Sequence, residues 1–280
     1  VAPASPNLRK ALAEAHDYWA FAHSILPAAQ AGDANAQYYL HKVLEHCTAE
    51  NRMFFKRHGQ VQTLDEGLQW AVQRHYSVSF AQKVFDRCHG FLTDDSNELG
   101  NATEWLAKAT RAGQPIAEAT TANKVLLQAK MRDLVNNSPP GQSFGVLAPA
   151  TVELDSGADP HKLLLDAVKS KDPDVLYTIG ESQGLLDPDE ADARVAKLAW
   201  LLAACQRGLD CSATGVFESC SAFESCATAV NTADMVRSLA AEDWPEVQQR
   251  AQVINTRLEA GAWDELGLES PAAPDSGQTH

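Results

Sequence analysis

Residues Gly180-Glu181-Ser182-Gln183-Gly184 have the Gly-x-Ser-x-Gly spacing of a nucleophile elbow, and the apolar run Val175 to Ile179 precedes them. That chemistry needs Ser182 on a strained strand-to-helix turn, with a histidine and an acid supplied by later loops. The only histidine downstream is His280, near the end of the chain, and no alternation of strands and helices surrounds the motif. A serine hydrolase using Ser182 is therefore the least favoured reading, and the stretch reads more simply as a helix ending near Gly184. His41 and Glu45 stand four apart and would share one helix face, a spacing that can bring two metal ligands together. No His-Glu-x-x-His accompanies them, and a solvated polar face is the simpler expectation. His75 and His89 are isolated, and the acidic pairs at Asp94-Asp95 and Asp187–Asp192 read as caps and loops. The expectation is no catalytic residue, no metal and no cofactor.

The six cysteines are the most specific signal. Cys205, Cys211, Cys220 and Cys226 crowd into one short segment, without the Cys-x-x-Cys spacing that zinc sites favour. An even count clustered this way points to disulfides and an oxidising compartment. Four cysteines allow three pairings. Local bridges, Cys205 with Cys211 and Cys220 with Cys226, and a crossed arrangement are close alternatives. Cys47 and Cys88, at equivalent repeat positions, read equally as a further bridge or as two buried free thiols. A bridge between them requires their helices to converge, because packed helices lie roughly 8–10 Å apart while a disulfide holds its Cα atoms about 4.4–6.8 Å apart.

Those two cysteines end a repeated phrase. His41-Lys-Val-Leu-Glu-His-Cys47, Gln82-Lys-Val-Phe-Asp-Arg-Cys88 and Asn123-Lys-Val-Leu-Leu-Gln-Ala129 begin 41 residues apart. Val43, Val84 and Val125 align, as do Leu44, Phe85 and Leu126. A fixed period between 20 and 50 residues marks stacked supersecondary units, and this length fits two helices and their turns. One such pair cannot bury its apolar face alone, so neighbours must stack. Gly32 and Gly113 suit the helix stop between the two helices of a unit, followed by Asp33 as a cap and by Pro115 at a first helical position. In the middle unit Arg74 to Tyr76 fill that turn without a glycine.

The stretches PAAQAGDANAQYYL and EWLAKATRAGQPIAEA resemble Sel1-like repeats, relatives of the tetratricopeptide repeat, and DPDVLYTIGESQGLL (172–186) and KLAWLLAACQRGLDC (197–211) resemble further divergent units. The resemblance covers most of residues 8–230. It departs from the family in its poorly kept Leu-Gly-x-x-Tyr run and its missing Gly-rich loop. It implies an all-α fold, an α-α superhelix (solenoid) of antiparallel helix pairs, with Trp70, Trp105 and Trp200 as the aromatics that pack between units. It also implies an interaction scaffold, a role common to this family in bacterial envelopes.

The chain reads as an N-terminal extension (1–6), helical repeats (7–136), an irregular Pro/Gly-rich linker or docking loop (137–160), C-terminal helical repeats with the cysteine-rich turn and a capping helix (161–268), and a disordered tail (269–280). At 45% hydrophobic residues it can bury a sizeable core, and its net charge of −14 lacks the basic footprint that nucleic acid or an anionic membrane surface demands. No apolar run approaches the roughly 20 residues of a spanning helix. The opening VAPASP looks like the start of a mature exported chain, which suggests a periplasmic or secreted protein and leaves a lipid anchor open. The function expected is a non-enzymatic scaffold or adaptor holding a protein or peptide, preferably a basic one, in the superhelix groove. The alternative is an exported enzyme inhibitor or immunity-type protein whose loop at 137–160 or acidic groove plugs a partner's active site.

Overall fold

A computed structural model of the protein describes residues 8–57, 60–92, 98–136, 159–186, 190–209, 211 and 232–268. The extension 1–6, the loop over 137–158, Cys220, Cys226 and the tail 269–280 lie outside the described residues. The described chain is all-α apart from a two-stranded antiparallel ribbon, β1 (Lys56–Arg57) against β2 (Gln60–Val61), which pairs Lys56 with Val61. It falls into two compact units. Of the described residues, those up to Ala117 with Cys211 and 232–238 form one, and those within 118–209 and 239–268 form the other.

The first unit is built around α3 (Ala34–Phe54), 21 residues and so about 31 Å long. Around it pack α1 (Leu8–Glu14), α2 (Tyr18–Gln30), α4 (Leu64–Gln73), α5 (Val78–Cys88) and α6 (Ala102–Arg111). α3 is buried all round over residues 36–41 and then on a single stripe of Val43, Leu44, Cys47, Asn51 and Phe54 at three- and four-residue spacing. Its two halves have different partners. Toward the start, Asn35 accepts a hydrogen bond from Gln114 at 3.4 Å, and His41 reaches the carbonyl of Ala102 on α6 at 2.9 Å. Toward the end, Cys47 is bonded to Cys88 of α5, and Asn51 donates its amide to the Cys88 carbonyl at 3.1 Å. Phe54 then meets Phe80 and Tyr76 edge-on, with ring centroids 6.0 and 5.5 Å apart. A stack in strict chain order would keep the first hairpin away from the third. Here α3 packs on α6 directly, and α4–α5 sit at its other end.

The hairpin turns share one construction. After α2, Gly32 N–H donates to the Ala29 carbonyl and Asp33 N–H to Ala28. After α6, Gly113 donates to Thr110 and Gln114 to Ala109. This is the Schellman pattern, and it requires a left-handed residue just past the helix, where Gly32 and Gly113 have φ of 98° and 73°. The middle turn keeps the same two bonds, His75 to Val72 and Tyr76 to Ala71, but puts His75 in the left-handed position at φ 59°. The next helices are capped by the Asp33 carboxylate on Ala36 N–H, the Ser77 hydroxyl on Phe80 N–H and the Gln114 side chain on Ala117 N–H. α7 (Pro115–Asn136) then begins with its proline in the first turn, as expected.

The echoed phrases fall on the second helices, α3, α5 and α7. Val43, Leu44 and Val84 are buried. Phe85 is partly exposed and packs its ring on Phe55 at 5.2 Å, and Val125 and Leu126 are only partly covered. The cysteine pair that the repeat aligns is a disulfide with Cα atoms 5.2 Å apart, so α3 and α5 do converge there.

The second unit contains α8 (Pro160–Val168), α9 (Pro173–Leu186), α10 (Glu190–Gln206) and α12 (Trp244–Ala260). α10 lies between α9 and α12 and buries Leu198, Ala199, Trp200, Leu201, Leu202, Ala203 and Ala204 almost without interruption, as a central helix must. Gly180 of α9 makes the α9–α10 crossing close, because an added Cβ would stand 3.2 Å from the Lys197 carbonyl oxygen. Arg250 of α12 clasps Asp192 of α10, and Arg207 donates to the Asn255 side chain at 2.7 Å. α11 (Thr232–Ala240) runs into α12 through a short 3-10 turn.

Two outcomes are expected. His75→Gly should raise the free energy of unfolding by about 1 kcal/mol, by removing the cost of a left-handed L-residue, and Gly113→Ala should lower it by a similar amount. Urea melts would show a higher midpoint for His75→Gly, and a lower one would contradict the reading. Replacing Cys47 and Cys88 together with alanine removes a 41-residue closure. It should cost up to about 4 kcal/mol in the chain-entropy picture, and an unchanged midpoint would contradict that.

Candidate functional site

The residues singled out for catalysis do not assemble into a reactive centre. Ser182 lies in the body of α9, is wholly buried, and donates its hydroxyl to the Thr178 carbonyl one turn earlier at 3.1 Å. A helical, buried, internally bonded serine is the opposite of an exposed nucleophile on a strained turn. His41 is not on a solvated face as expected. It is 2% exposed, because α6 covers that stripe of α3. The Ala102 carbonyl can only accept, so Nδ1 carries the proton of that bond, while Nε2 faces the Glu45 carboxylate at 3.3 Å. His41 is thus a strut between α3 and α6. Among the described residues, no three His, Cys, Asp or Glu side chains converge on a point that could hold a metal ion. No described helix is long and apolar enough to cross a membrane.

The cysteines divide by position. Cys47 and Cys88 have no exposed surface, and Cys205 and Cys211 are both disulfide-bonded. Trp105 and Trp200 are core residues, and Trp105 also donates its indole N–H to the Leu99 carbonyl at 2.6 Å. Trp70 is not core. It is partly exposed, and the Arg74 guanidinium lies over its ring at 4.5 Å. It sits on α4, the first helix of the hairpin held at the far end of α3, where no further helix pair closes over it among the described contacts.

Concave polar surface exists in each unit. In the second, Lys171, Gln206, Arg207, Asn255 and Glu259 line a cleft of about 350 Å³. Its polar groups are largely bonded to one another: Arg207 to Asn255 and Glu259, and Asn255 to Gln206 at 2.7 Å. It reads as the polar seam that joins α10 to α12.

The cleft in the first unit is larger, about 490 Å³, and is lined by His16, Ser79, Gln82, Lys83, Asp86 and Arg87. Its origin is the amphipathicity of α5. Phe80, Ala81, Val84 and Cys88 turn inward on one stripe, and Ser79, Gln82, Lys83, Asp86 and Arg87 follow the same helical spacing on the other. His16, between α1 and α2, completes the lining. Arg87 donates to the Tyr18 hydroxyl at 3.0 Å and lies over that ring at 5.2 Å, while Gln82 donates to the Asp86 carboxylate at 2.9 Å. Tyr18 is braced in turn by His46, edge-on at 5.7 Å. Gln82, Lys83, Asp86 and Arg87 stood out in the sequence only as members of the echoed phrase, not as a site. The available signal was the polar half of the α5 pattern, which an echo shared by three helices obscured.

Elsewhere, the ammonium groups of Lys162 and Lys169 hydrogen-bond Asp166 and hold its carboxyl below the ordinary range. Burial pushes the Tyr177 phenol up, with Glu181 and Asp174 adding to it.

No protein-family model, curated protein or solved structure matches this chain.

Tyr177 yields a pH prediction. Its folded phenol holds its proton more tightly than the unfolded one, so its contribution is complete below the ordinary tyrosine range and is lost as pH rises beyond it. Between pH 8 and pH 11 the parent protein should lose more stability than Tyr177→Phe in urea titrations. Equal losses would show that the phenol is not held protonated by the fold.

Proposed function

We propose that this protein is a non-enzymatic protein–protein interaction scaffold built on Sel1-like helical hairpins and working in an oxidising extracytoplasmic compartment, which the family resemblance places in the bacterial envelope. The observation that carries the reading is the packing of α3 on α6. The two segments with the strongest Sel1-like resemblance are α2–turn–α3 and α6–turn–α7. They share the same glycine Schellman turn, and the second helix of one lies against the first helix of the other. Stacking of that kind extends a solenoid and presents a rigid concave surface, which spends little ordering entropy when a partner binds. The buried Cys47–Cys88 bridge supports the oxidising compartment, since such bonds persist where thiols are not kept reduced.

A net charge of −14 favours a partner with a basic face and a contact that weakens with salt. Cross-linked capture from the source organism's envelope fraction, with the purified chain as bait, should return one stoichiometric basic protein. Its recovery should fall as salt is raised from 50 to about 500 mM, where screening becomes short-ranged. An activity assay on that protein would then separate a scaffold from an inhibitor. No enrichment over an acidic control protein of similar size would contradict the proposal.

A further inference from the structure

Residues 263–268 are held against the second unit in the way a bound peptide is held. α12 ends at Gly261, whose φ of 72° turns the chain back, and Gly267 turns it again at φ 70°. Between these turns the segment Trp263-Asp264-Glu265-Leu266-Gly267-Leu268 lies against α8 and α12. Leu266 and Leu268 are buried, Leu268 completely, while Asp264 and Glu265 face solvent. Leu164 and Val168 of α8 and Leu258 of α12 have no exposed surface either. The backbone of the segment is gripped as well. His161, at the start of α8, donates its Nδ1–H to the Leu268 carbonyl at 2.9 Å. Arg257 of α12 donates to the Glu265 carbonyl and meets the Glu265 carboxylate at 3.4 Å. The Lys171 ammonium stands over the Trp263 ring at 5.5 Å. Leucine anchors two residues apart, with side-chain donors on the carbonyls beside them, are features by which a surface recognises a peptide.

We propose that this seat on α8 and α12 is a peptide-binding site that the chain closes on itself, with residues 263–268 as an autoinhibitory strap. The ligand that replaces the strap is a partner segment of the same chemistry: an aromatic residue, then an acidic one, then two leucines separated by one small residue. Lys171 and Arg257 receive the aromatic and acidic members, as they receive Trp263 and Glu265 here. The strap holds chiefly by its two leucines, because an exposed ion pair such as Arg257 with Glu265 adds little. So short an element belongs to the part of a fold that opens ahead of global unfolding. Its tether gives it an effective concentration of millimolar order, which keeps the site closed until a competing segment is abundant. The inference concerns the second unit alone and does not rest on the interaction-scaffold reading, so envelope capture and this test succeed or fail separately.

The test uses the full isotope-labelled chain and N-acetyl-Trp-Asp-Glu-Leu-Gly-Leu-amide as probe, followed by nuclear magnetic resonance. A chain carrying both Leu266→Ser and Leu268→Ser releases the strap, and a thermal melt checks that it folds. Saturable shifts are expected at residues 161–168 and 254–258 of that variant, with binding to the parent about tenfold weaker or more, and none from a probe with both leucines replaced by serine. Hydrogen exchange on the unaltered chain needs no variant: amides of residues 264–268 should exchange while α8 and α12 stay protected. The proposal is overturned if those amides open only with α8 and α12, if the folded variant does not bind the probe, or if parent and variant bind it equally. Strap signals that change with protein concentration would also overturn it, because they would place the segment of a second copy in the seat.

Discussion

The first unit depends on a single long helix that carries two interfaces in sequence. α3 is half strut and half anchor: its first turns hold α6 through apolar contact and His41, and its last turns hold α5 through Cys47, Asn51 and Phe54. The length of the helix makes this possible. A helix of ten residues, such as α4 or α6, could serve only one of these neighbours. The buried N–H groups of His41 and Asn51 each find a carbonyl, whereas the Asn51 side-chain oxygen finds no hydrogen-bond partner among the described residues. Leaving either N–H unpaired would cost more than its bond contributes.

The turns show how local geometry can persist while sequence drifts. Two of the three Schellman turns use glycine where the backbone is left-handed, and the third uses His75. The two hydrogen bonds recur in all three, but the cap directly follows the left-handed residue at Asp33 and Gln114 and comes one residue later at Ser77 in the middle turn. The His75 turn is also the one whose neighbours stay exposed. Val72 and Val78 project to solvent, and the Arg74 guanidinium lies over the partly exposed Trp70 ring. The α4–α5 hairpin differs from its siblings in position as well as in sequence.

Much of the architecture was legible from the chain. The helical class of residues 7–136, the helix stops at Gly32 and Gly113 and the cap at Asp33 follow from spacing and turn chemistry, which are local properties, whereas the aligned Cys47 and Cys88 fitted two buried free thiols as well as the bridge that the structure shows. The order of packing was not legible, because an echo at a fixed period says that units are alike and not which of them touch. Burial of His41 was hidden because a histidine and a glutamate four apart suit a wet face equally well, and only the contact with α6 decides. Trp70 failed as a core residue for the same reason, since its apolar pattern is right and its cover is only partial. The cleft on α5 was missed because it needs His16 and Tyr18, which come from a different part of the chain.

The central claim is that α3 joins two separable contacts, with the α2–α3 pair and α6 as the primary stack and α4–α5 as an attached hairpin. Hydrogen exchange on the variant lacking Cys47 and Cys88 tests it most directly. The account predicts that amides of α4 and α5 lose protection in that variant while those of α3 residues 36–44 and of α6 keep theirs. Uniform loss across all four helices, or earlier loss in α6 than in α5, would contradict it.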